Sequence, residues 1–163
     1  MYLFRKTTAL ILYLFSFFTQ AVTAGELPVR YLGIEQGLSN NAVTSICQDH
    51  NGFLWIGTYD GLNRYDGKNF LLFTRQRNGL QSNRVLKLAT DAGYLFIMYG
   101  DAGYHLQTSG MVDVMNLSTF RVQSLSATFP DMPFKEKDVR WIANDGTDKL
   151  IFLTCHPFRL WHY

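Results

Sequence analysis

The stretch that decides the fold runs from Gly37 to Gly67 and reads GLSNNAVTSICQDHNGFLWIGTYDGLNRYDG. It contains one Asn-Gly and two Asp-Gly pairs, which favour the positive φ angles of tight β-turns. Three turns separate four strands, which we expect at about 42–48, 53–59, 62–65 and 69–74. The second strand is apolar at consecutive positions (FLWI), which indicates that both faces of its sheet are covered.

This unit recurs along the chain. Gly37-Leu38 with Asn41-Ala-Val43 returns 42 residues later as Gly79-Leu80 with Asn83-Arg-Val85, and a weaker copy begins another 54 residues on, at Val139. A period near 42, rich in aromatic and β-branched residues, is typical of one propeller blade. We therefore predict an all-β fold, a partial β-propeller with two complete four-stranded antiparallel blades and an incomplete third. The blades are expected at about 42–74, 84–125 and 138–163, with 29–34 as an orphan closing strand.

The N-terminus predicts export. Arg5 and Lys6 precede the apolar stretch Ala9 to Phe18, and the small residues Val22 and Ala24 follow. This order is typical of a secretory signal peptide. A retained membrane anchor is the alternative, but the apolar run is well short of the roughly 20 residues that span a bilayer. We expect a signal peptide over 1–24, a periplasmic or secreted domain over 25–163, and no transmembrane segment in the mature fragment.

The charge of the chain argues against one class of partner, and the positions of its cysteines argue against a disulfide. Without the two basic residues of the leader, the 15 Lys and Arg fall to 13 and equal the 13 Asp and Glu. A neutral chain without a basic stripe does not favour nucleic acid, so we expect no nucleic-acid partner. Cys47 and Cys155 fall in blades that are not neighbours, whereas a disulfide needs Cα atoms within about 7 Å. We predict two free thiols.

Few residues suggest chemistry, and we assign none to catalysis, cofactor binding or metal binding. Asp60 and Asp66 could be taken as a carboxylate pair for glycoside hydrolysis. Each precedes a turn glycine, however, where Asp is favoured for turn geometry alone. The histidines show no metal-ligand spacing; they are His50, His105, His156 and His162.

Ligand-binding residues cannot be assigned from the sequence, although some positions suggest themselves. Trp55 is expected to pack between blades. For Trp141 and Trp161 the sequence leaves open whether the ring packs in the core or stacks on a sugar. Tyr104 and His105 lie in the irregular segment 100–110 and are the more plausible ligand-facing pair. A second long loop, 126–137, separates blades two and three, and long loops on a rigid scaffold often carry function.

Residues 37–67 closely resemble the two-component regulator propeller repeat of hybrid two-component system sensors. The resemblance includes the Gly37-Leu38-Ser39 start, the turn from Asp49 to Gly52 and the Leu-Trp-Ile-Gly-Thr strand that begins at Leu54. It continues through Asp60-Gly61-Leu62 and Arg64-Tyr-Asp-Gly67, while blades two and three lack the Trp-Ile-Gly-Thr core. In that family, periplasmic propellers precede an immunoglobulin-like domain, a transmembrane helix and a histidine kinase.

The resemblance implies an N-terminal fragment of such a sensor, a non-enzymatic, extracytoplasmic ligand-sensing module that signals through a histidine kinase phosphorelay. A glycan breakdown product would be a typical ligand. The expected partners are a small molecule such as an oligosaccharide and the missing blades of the parent protein, and exposed blade faces favour self-association. No cofactor is expected. Two alternatives stay open: a fragment of a secreted β-propeller glycan hydrolase or lyase, and the propeller sensor of a diguanylate cyclase.

Overall fold

The computed structural model of the protein describes residues 29–100, 108–146 and 149–163, without the side chains of residues 108 and 109. The chain divides into two compact units, Met1–Tyr31 and Leu32–Tyr163. Of the first unit only residues 29–31 are described, and its Val29 and Tyr31 are exposed. The predicted signal peptide, 1–24, lies outside the described residues, and the fold below is that of the second unit.

The first sheet is an antiparallel meander in the order β1-β2-β3-β4. Its strands are β1 Val43–Gln48, β2 Leu54–Thr58, β3 Gly61–Tyr65 and β4 Phe70–Phe73. The turn between β3 and β4 shows why Asp is favoured there. The carboxylate of Asp66 accepts hydrogen bonds from the backbone N–H groups of Lys68 (2.7 Å) and Asn69 (2.6 Å), as in an Asx turn.

Two further sheets follow. The second, in the order β5-β6-β7-β8, consists of β5 Val85–Asp91, β6 Tyr94–Gly100, β7 Thr108–Asn116 and β8 Val122–Ser124. The third has three strands, β9 Val139–Asn144, β10 Leu150–Cys155 and β11 Phe158–His162, in the order β11-β10-β9. Short helices α1 Arg75–Asn78 and α2 Leu125–Thr128, with 3-10 turns Ile34–Gln36 and Glu136–Asp138, connect the sheets. Two four-stranded sheets and one of three confirm the predicted partial propeller.

Residues 29–34 are predicted as an orphan closing strand without a partner. Within the described residues, 29–34 pair with no strand, and Ile34 begins a 3-10 turn instead. The reason lies in Asn41, whose side-chain oxygen accepts a hydrogen bond from the Ile34 N–H at 3.0 Å. The repeat does the same at Asn83, which accepts from the Arg75 N–H at 2.7 Å where α1 begins. A helical turn before the Gly-Leu pair therefore belongs to the repeat, and the prediction wrongly placed Ile34 in a strand.

The core lies between the sheets. Trp55 in β2 is fully buried in a cluster with Val85 and Leu88 of β5, and its ring lies 5.5 Å from that of Phe73. A second cluster joins sheets two and three around Phe96 and Phe152, whose rings lie 6.0 Å apart. The expected position of Trp55 between blades is thus confirmed. Each sheet buries an apolar face against the next, as blades stacked around an axis do.

The first strands of the three sheets, β1, β5 and β9, lie side by side. Polar contacts join them: the Thr44 hydroxyl donates to the Val85 carbonyl at 2.9 Å, and the Leu88 N–H donates to the Ser45 hydroxyl at 3.1 Å. Between β5 and β9, the Asn144 amide donates to the Thr90 carbonyl at 2.6 Å. The contacts advance together along β1 and β5, and the contact with β9 joins its last residue to the end of β5, so the three first strands run in the same direction.

All three sheets therefore present equivalent ends. Because each is an antiparallel meander, the start of its first strand and the turn between its second and third strands lie at one end. We call this end the loop rim, and in the described residues it comprises 33–42, 58–61, 74–84, 125–138 and 155–158. Within the described residues, no helix has both the length and the apolar character needed to cross a membrane.

Candidate functional site

The two aspartates considered as a catalytic pair do not come together. Asp60 precedes β3 and Asp66 follows it, so they lie at opposite ends of a five-residue strand. At roughly 3.3 Å per residue, the separation exceeds the roughly 5–9.5 Å that glycosidase carboxylates require. Asp60 instead accepts a hydrogen bond from the Asn83 side chain at 3.3 Å, a contact between neighbouring sheets.

The tryptophans left open by the sequence are accessible to different degrees. Trp141 on β9 is 40% exposed, and the Lys87 ammonium lies 5.2 Å from the centre of its ring. Trp161 on β11 is partly buried, donates from Nε1 to the Thr154 hydroxyl at 3.1 Å, and packs on Phe134. Of these two tryptophans Trp141 is the more exposed, and its ring lies beside a cation. The expected ligand-facing pair, Tyr104 and His105, lies outside the described residues.

A buried polar contact on the third strand of each complete sheet holds the residue after the Gly-Leu pair. In the first sheet Asn63 accepts from the Ser39 N–H at 3.1 Å. In the second, Asp113 accepts from the Gln81 N–H at 2.9 Å, the Gln81 side chain at 2.7 Å and the Tyr99 hydroxyl at 2.6 Å. Burial raises the pKa of the Asp113 carboxyl, although its hydrogen bonds oppose the rise. This carboxylate is occupied in anchoring the loop rim.

The long loop between sheets two and three is anchored rather than loose. The Glu136 carboxylate accepts from the Val112 N–H at 3.1 Å and from the Ser126 N–H at 3.0 Å. Gly110 has φ +65°, and a Cβ there would lie 2.6 Å from the Lys137 carbonyl oxygen, so β7 and the loop approach more closely than a side chain would allow. Phe129 stacks at 6.0 Å on the ring of Phe96. The loop is a fixed part of the loop rim.

Two adjoining clefts follow this loop. One, of about 570 Å³, lies between α2 and residues 129–137, and the other, of about 690 Å³, lies between residues 133–140 and the β10–β11 turn. They share one wall made of two apolar and two cationic residues, Pro133, Phe134, Lys135 and Lys137. Both volumes lie in the range of roughly 300–1,000 Å³ that is typical of small-molecule sites, and charged and polar residues make up most of the lining of the second cleft. The loop length indicated this region, but no sequence motif indicated these residues.

Three potential metal ligands meet beside the second cleft, which two of them, Asp138 and His156, line. Asp138, Cys155 and His156 place one ligand atom each within 4.8 Å of one another. The separation of Asp138 from the other two along the chain hid this group from the sequence. The β9–β10 register, which pairs Val139 with Thr154, brings them together. Both cysteines are free thiols, as predicted.

Comparison with known proteins identifies the repeat. Residues 37–60 match the family described as two component regulator propeller. They cover the Gly-Leu start and the first two strands of sheet one, together with the buried Trp55. A 37-residue segment of the chain is 51% identical to Histidine kinase P4 of Formosa agariphila, an alignment that covers 23% of this chain and 3% of the kinase.

The arrangement of the three sheets is also similar to a solved structure. The extracellular domain of BT3049 from B. thetaiotaomicron, described as part of a hybrid two component system, aligns over 82% of this chain and 20% of that one. The alignment has 28% identity and a TM-score of 0.54. The extracellular domain of BT4673 from the same organism, described as a one component system, aligns over 77% of this chain and 25% of that one, with 16% identity and a TM-score of 0.38. The chain thus spans a small part of each relative.

Proposed function

We propose that the chain is the N-terminal part of an extracytoplasmic ligand-sensing region in a hybrid two-component system, which signals to a histidine kinase. The observation that carries this proposal is the 28% identity, over 82% of the chain, to the extracellular domain of BT3049. The propeller repeat and the local identity to a histidine kinase support it. The protein would be periplasmic, exported by the leader at 1–24, and the chain itself would not be catalytic.

The ligand we propose is a small oligosaccharide released by glycan breakdown, bound at the loop rim. Sugars stack their apolar faces on aromatic rings and use their hydroxyls as hydrogen-bond partners. The clefts along residues 125–138 offer partly exposed aromatic side chains beside Lys135 and Lys137. Glu136 and Gly110 fix this loop to β7. A ligand bound to the loop would therefore contact a rigid element that is connected to both neighbouring sheets.

A thermal-melt screen tests the sensing role. The purified chain is heated with a panel of oligosaccharides, and a ligand present at 100 times its Kd stabilises by about 2.7 kcal/mol. For a chain of this size that raises Tm by roughly 5–11 °C. Lys135→Ala should reduce the shift, whereas Lys68→Ala, at an exposed lysine on the opposite end of sheet one, should leave it unchanged.

A second measurement separates sensing from catalysis. Oligosaccharides incubated with the chain should be recovered intact by mass spectrometry, and the coding region should continue into a transmembrane helix and a kinase. Cleaved products would contradict the proposal in favour of a hydrolase or lyase. A melt that no oligosaccharide shifts, either for the chain or for the extracytoplasmic region of its parent, would contradict the sugar-sensing role.

A further inference from the structure

Asp138, Cys155 and His156 form a compact group at the loop rim. Asp138 directly precedes β9, Cys155 ends β10, and His156 begins the turn to β11. The Cys155 sulfur lies 3.0 Å from the His156 Nδ1 atom, and all three ligand atoms fall within 4.8 Å of one another. Asp138 and Cys155 are half-buried and His156 is exposed. The group is therefore partly shielded and still reachable from solvent.

The donor set indicates which ion it would hold. Thiolate, imidazole and carboxylate are the three ligand types of Zn²⁺, with bond lengths of about 2.0–2.3 Å. In a tetrahedral site these lengths place neighbouring donor atoms about 3.3–3.6 Å apart, so the donors need move by about 1.5 Å at most. Ca²⁺ and Mg²⁺ prefer oxygen donors only, and a thiolate disfavours both.

The residues around the three ligands suit a metal site in which one coordination position stays open. The cleft of about 690 Å³ contacts Asp138 and His156 and is also lined by Lys137 and Arg140. The Arg140 guanidinium donates to the carbonyl oxygens of Lys137 (2.9 Å) and Val139 (3.2 Å), which holds its charge near the group. A thiolate and a carboxylate balance the charge of Zn²⁺, and the neighbouring cations favour an oxygen anion or water in the fourth position.

We propose that Asp138, Cys155 and His156 bind one Zn²⁺ ion, which fastens the β10–β11 turn to the start of β9 and keeps a fourth coordination position open to the cleft. On binding, the Cys155 thiol releases its proton to solvent as the zinc–sulfur bond forms. Neither oxidant nor reductant takes part. The sequence indicated no metal site because only Cys155 and His156 are adjacent along the chain, and two ligands do not make a motif.

Titration with Zn²⁺ alone tests this directly. The whole chain, kept reduced by a phosphine, should bind one Zn²⁺ per molecule by calorimetry. Co²⁺ should produce the thiolate-to-cobalt charge-transfer absorption of a sulfur-ligated ion. Loss of an outer-shell partner weakens zinc binding by about 10–100-fold, so Cys155→Ser and Asp138→Asn should weaken it by at least about 100-fold.

Matched variants keep the outcome decisive. Cys47→Ser removes the other thiol and His162→Ala removes a histidine of the same hairpin, and both should bind as the wild type does. If Cys155→Ser does not fold, the cobalt spectrum of Cys47→Ser decides, because its only thiol is Cys155. Absence of stoichiometric zinc, absence of the sulfur absorption, or equal binding by folded Cys155→Ser would each overturn the site.

Discussion

A single methyl group added at Gly57 should disrupt the seam between the first two sheets. A Cβ at this position would lie 2.5 Å from the Val85 Cγ1 atom and 3.2 Å from the Thr44 hydroxyl. Ordinary carbon contacts begin near 3.5 Å, so the sheets would have to separate by about 1 Å. Thr44 is hydrogen-bonded to the Val85 carbonyl, and this bond resists the separation. Overpacking of this kind costs about 1–3 kcal/mol.

The same contact predicts a rescue. Val85 is fully buried, and Val85→Ala alone should cost about 2–3 kcal/mol, from two lost methyl groups and the remaining cavity. In the double variant the new methyl at Gly57 occupies space that Val85 has vacated. Its free energy of unfolding should therefore exceed the additive value by about 1–2 kcal/mol, the coupling expected of residues in contact.

Urea unfolding followed by tryptophan fluorescence measures this cycle, since Trp55 is buried in the same cluster. Transitions are compared at equal slope and at several protein concentrations. Gly100→Ala is the matched control, because among the described residues a Cβ there has no neighbour closer than 3.7 Å, and it should change stability by less than about 0.5 kcal/mol. Additive effects, or a Gly57→Ala variant as stable as the control, would refute the close approach at this seam.

Three further expectations concern other parts of the molecule. Burial raises the pKa of Cys47 from 9.0 to about 12. In the Cys155→Ser variant Cys47 is the remaining thiol, and at pH 8 its alkylation should be about a thousandfold slower in the folded protein than in the unfolded one. Rapid labelling of the folded variant would contradict this. Burial likewise raises the pKa of Asp113 above 3.8, so the contribution of this carboxyl to stability declines as the pH rises from 3.8 to the folded-state pKa. The Asp113→Asn variant should show a weaker pH dependence of the urea unfolding midpoint over that range. A pH dependence equal to that of the wild type would count against this expectation. Phe158 (78% exposed) and Leu160 (56%) lie on the edge strand β11. Light scattering should therefore show concentration-dependent association of the chain, and replacement of both residues by serine should reduce it. A wild-type chain that stays monomeric would argue against association through this edge.

The sequence was sufficient for the sheets because their signals are local. The series Val43, Val85 and Val139 marks the start of each first strand, and the structure begins β1, β5 and β9 at those residues. The consecutive apolar residues around Trp55 required two covered faces, and both are covered. Turn dipeptides and strand periodicity depend on neighbouring residues, so they can be recognised without knowledge of the register.

The candidate sites were harder to predict because they depend on contacts between distant segments. Asp138 meets Cys155 only through the pairing of β9 with β10. The helical turn at Ile34 forms because Asn41, seven residues later, binds its N–H. Neither contact leaves a pattern of hydrophobicity. The expected hairpin pairing in the third sheet could have suggested the contact between Asp138 and Cys155. Comparison with the helix α1 before Gly79 could have suggested the helical turn at Ile34.

The position of Asn83 bears on how such proteins can be recombined. Its carbonyl accepts from the Gly61 N–H at 2.8 Å, and its side chain accepts from the Arg75 N–H at 2.7 Å, so it joins the turn of one sheet to the helix before the next. A chimera cut between α1 and β5 would divide this joint between unrelated parents. A crossover in the turns 49–53 or 92–93, at the opposite end of the sheets, would keep each joint within one parent. The exchangeable module of this protein is therefore offset by one strand from its visible sheets.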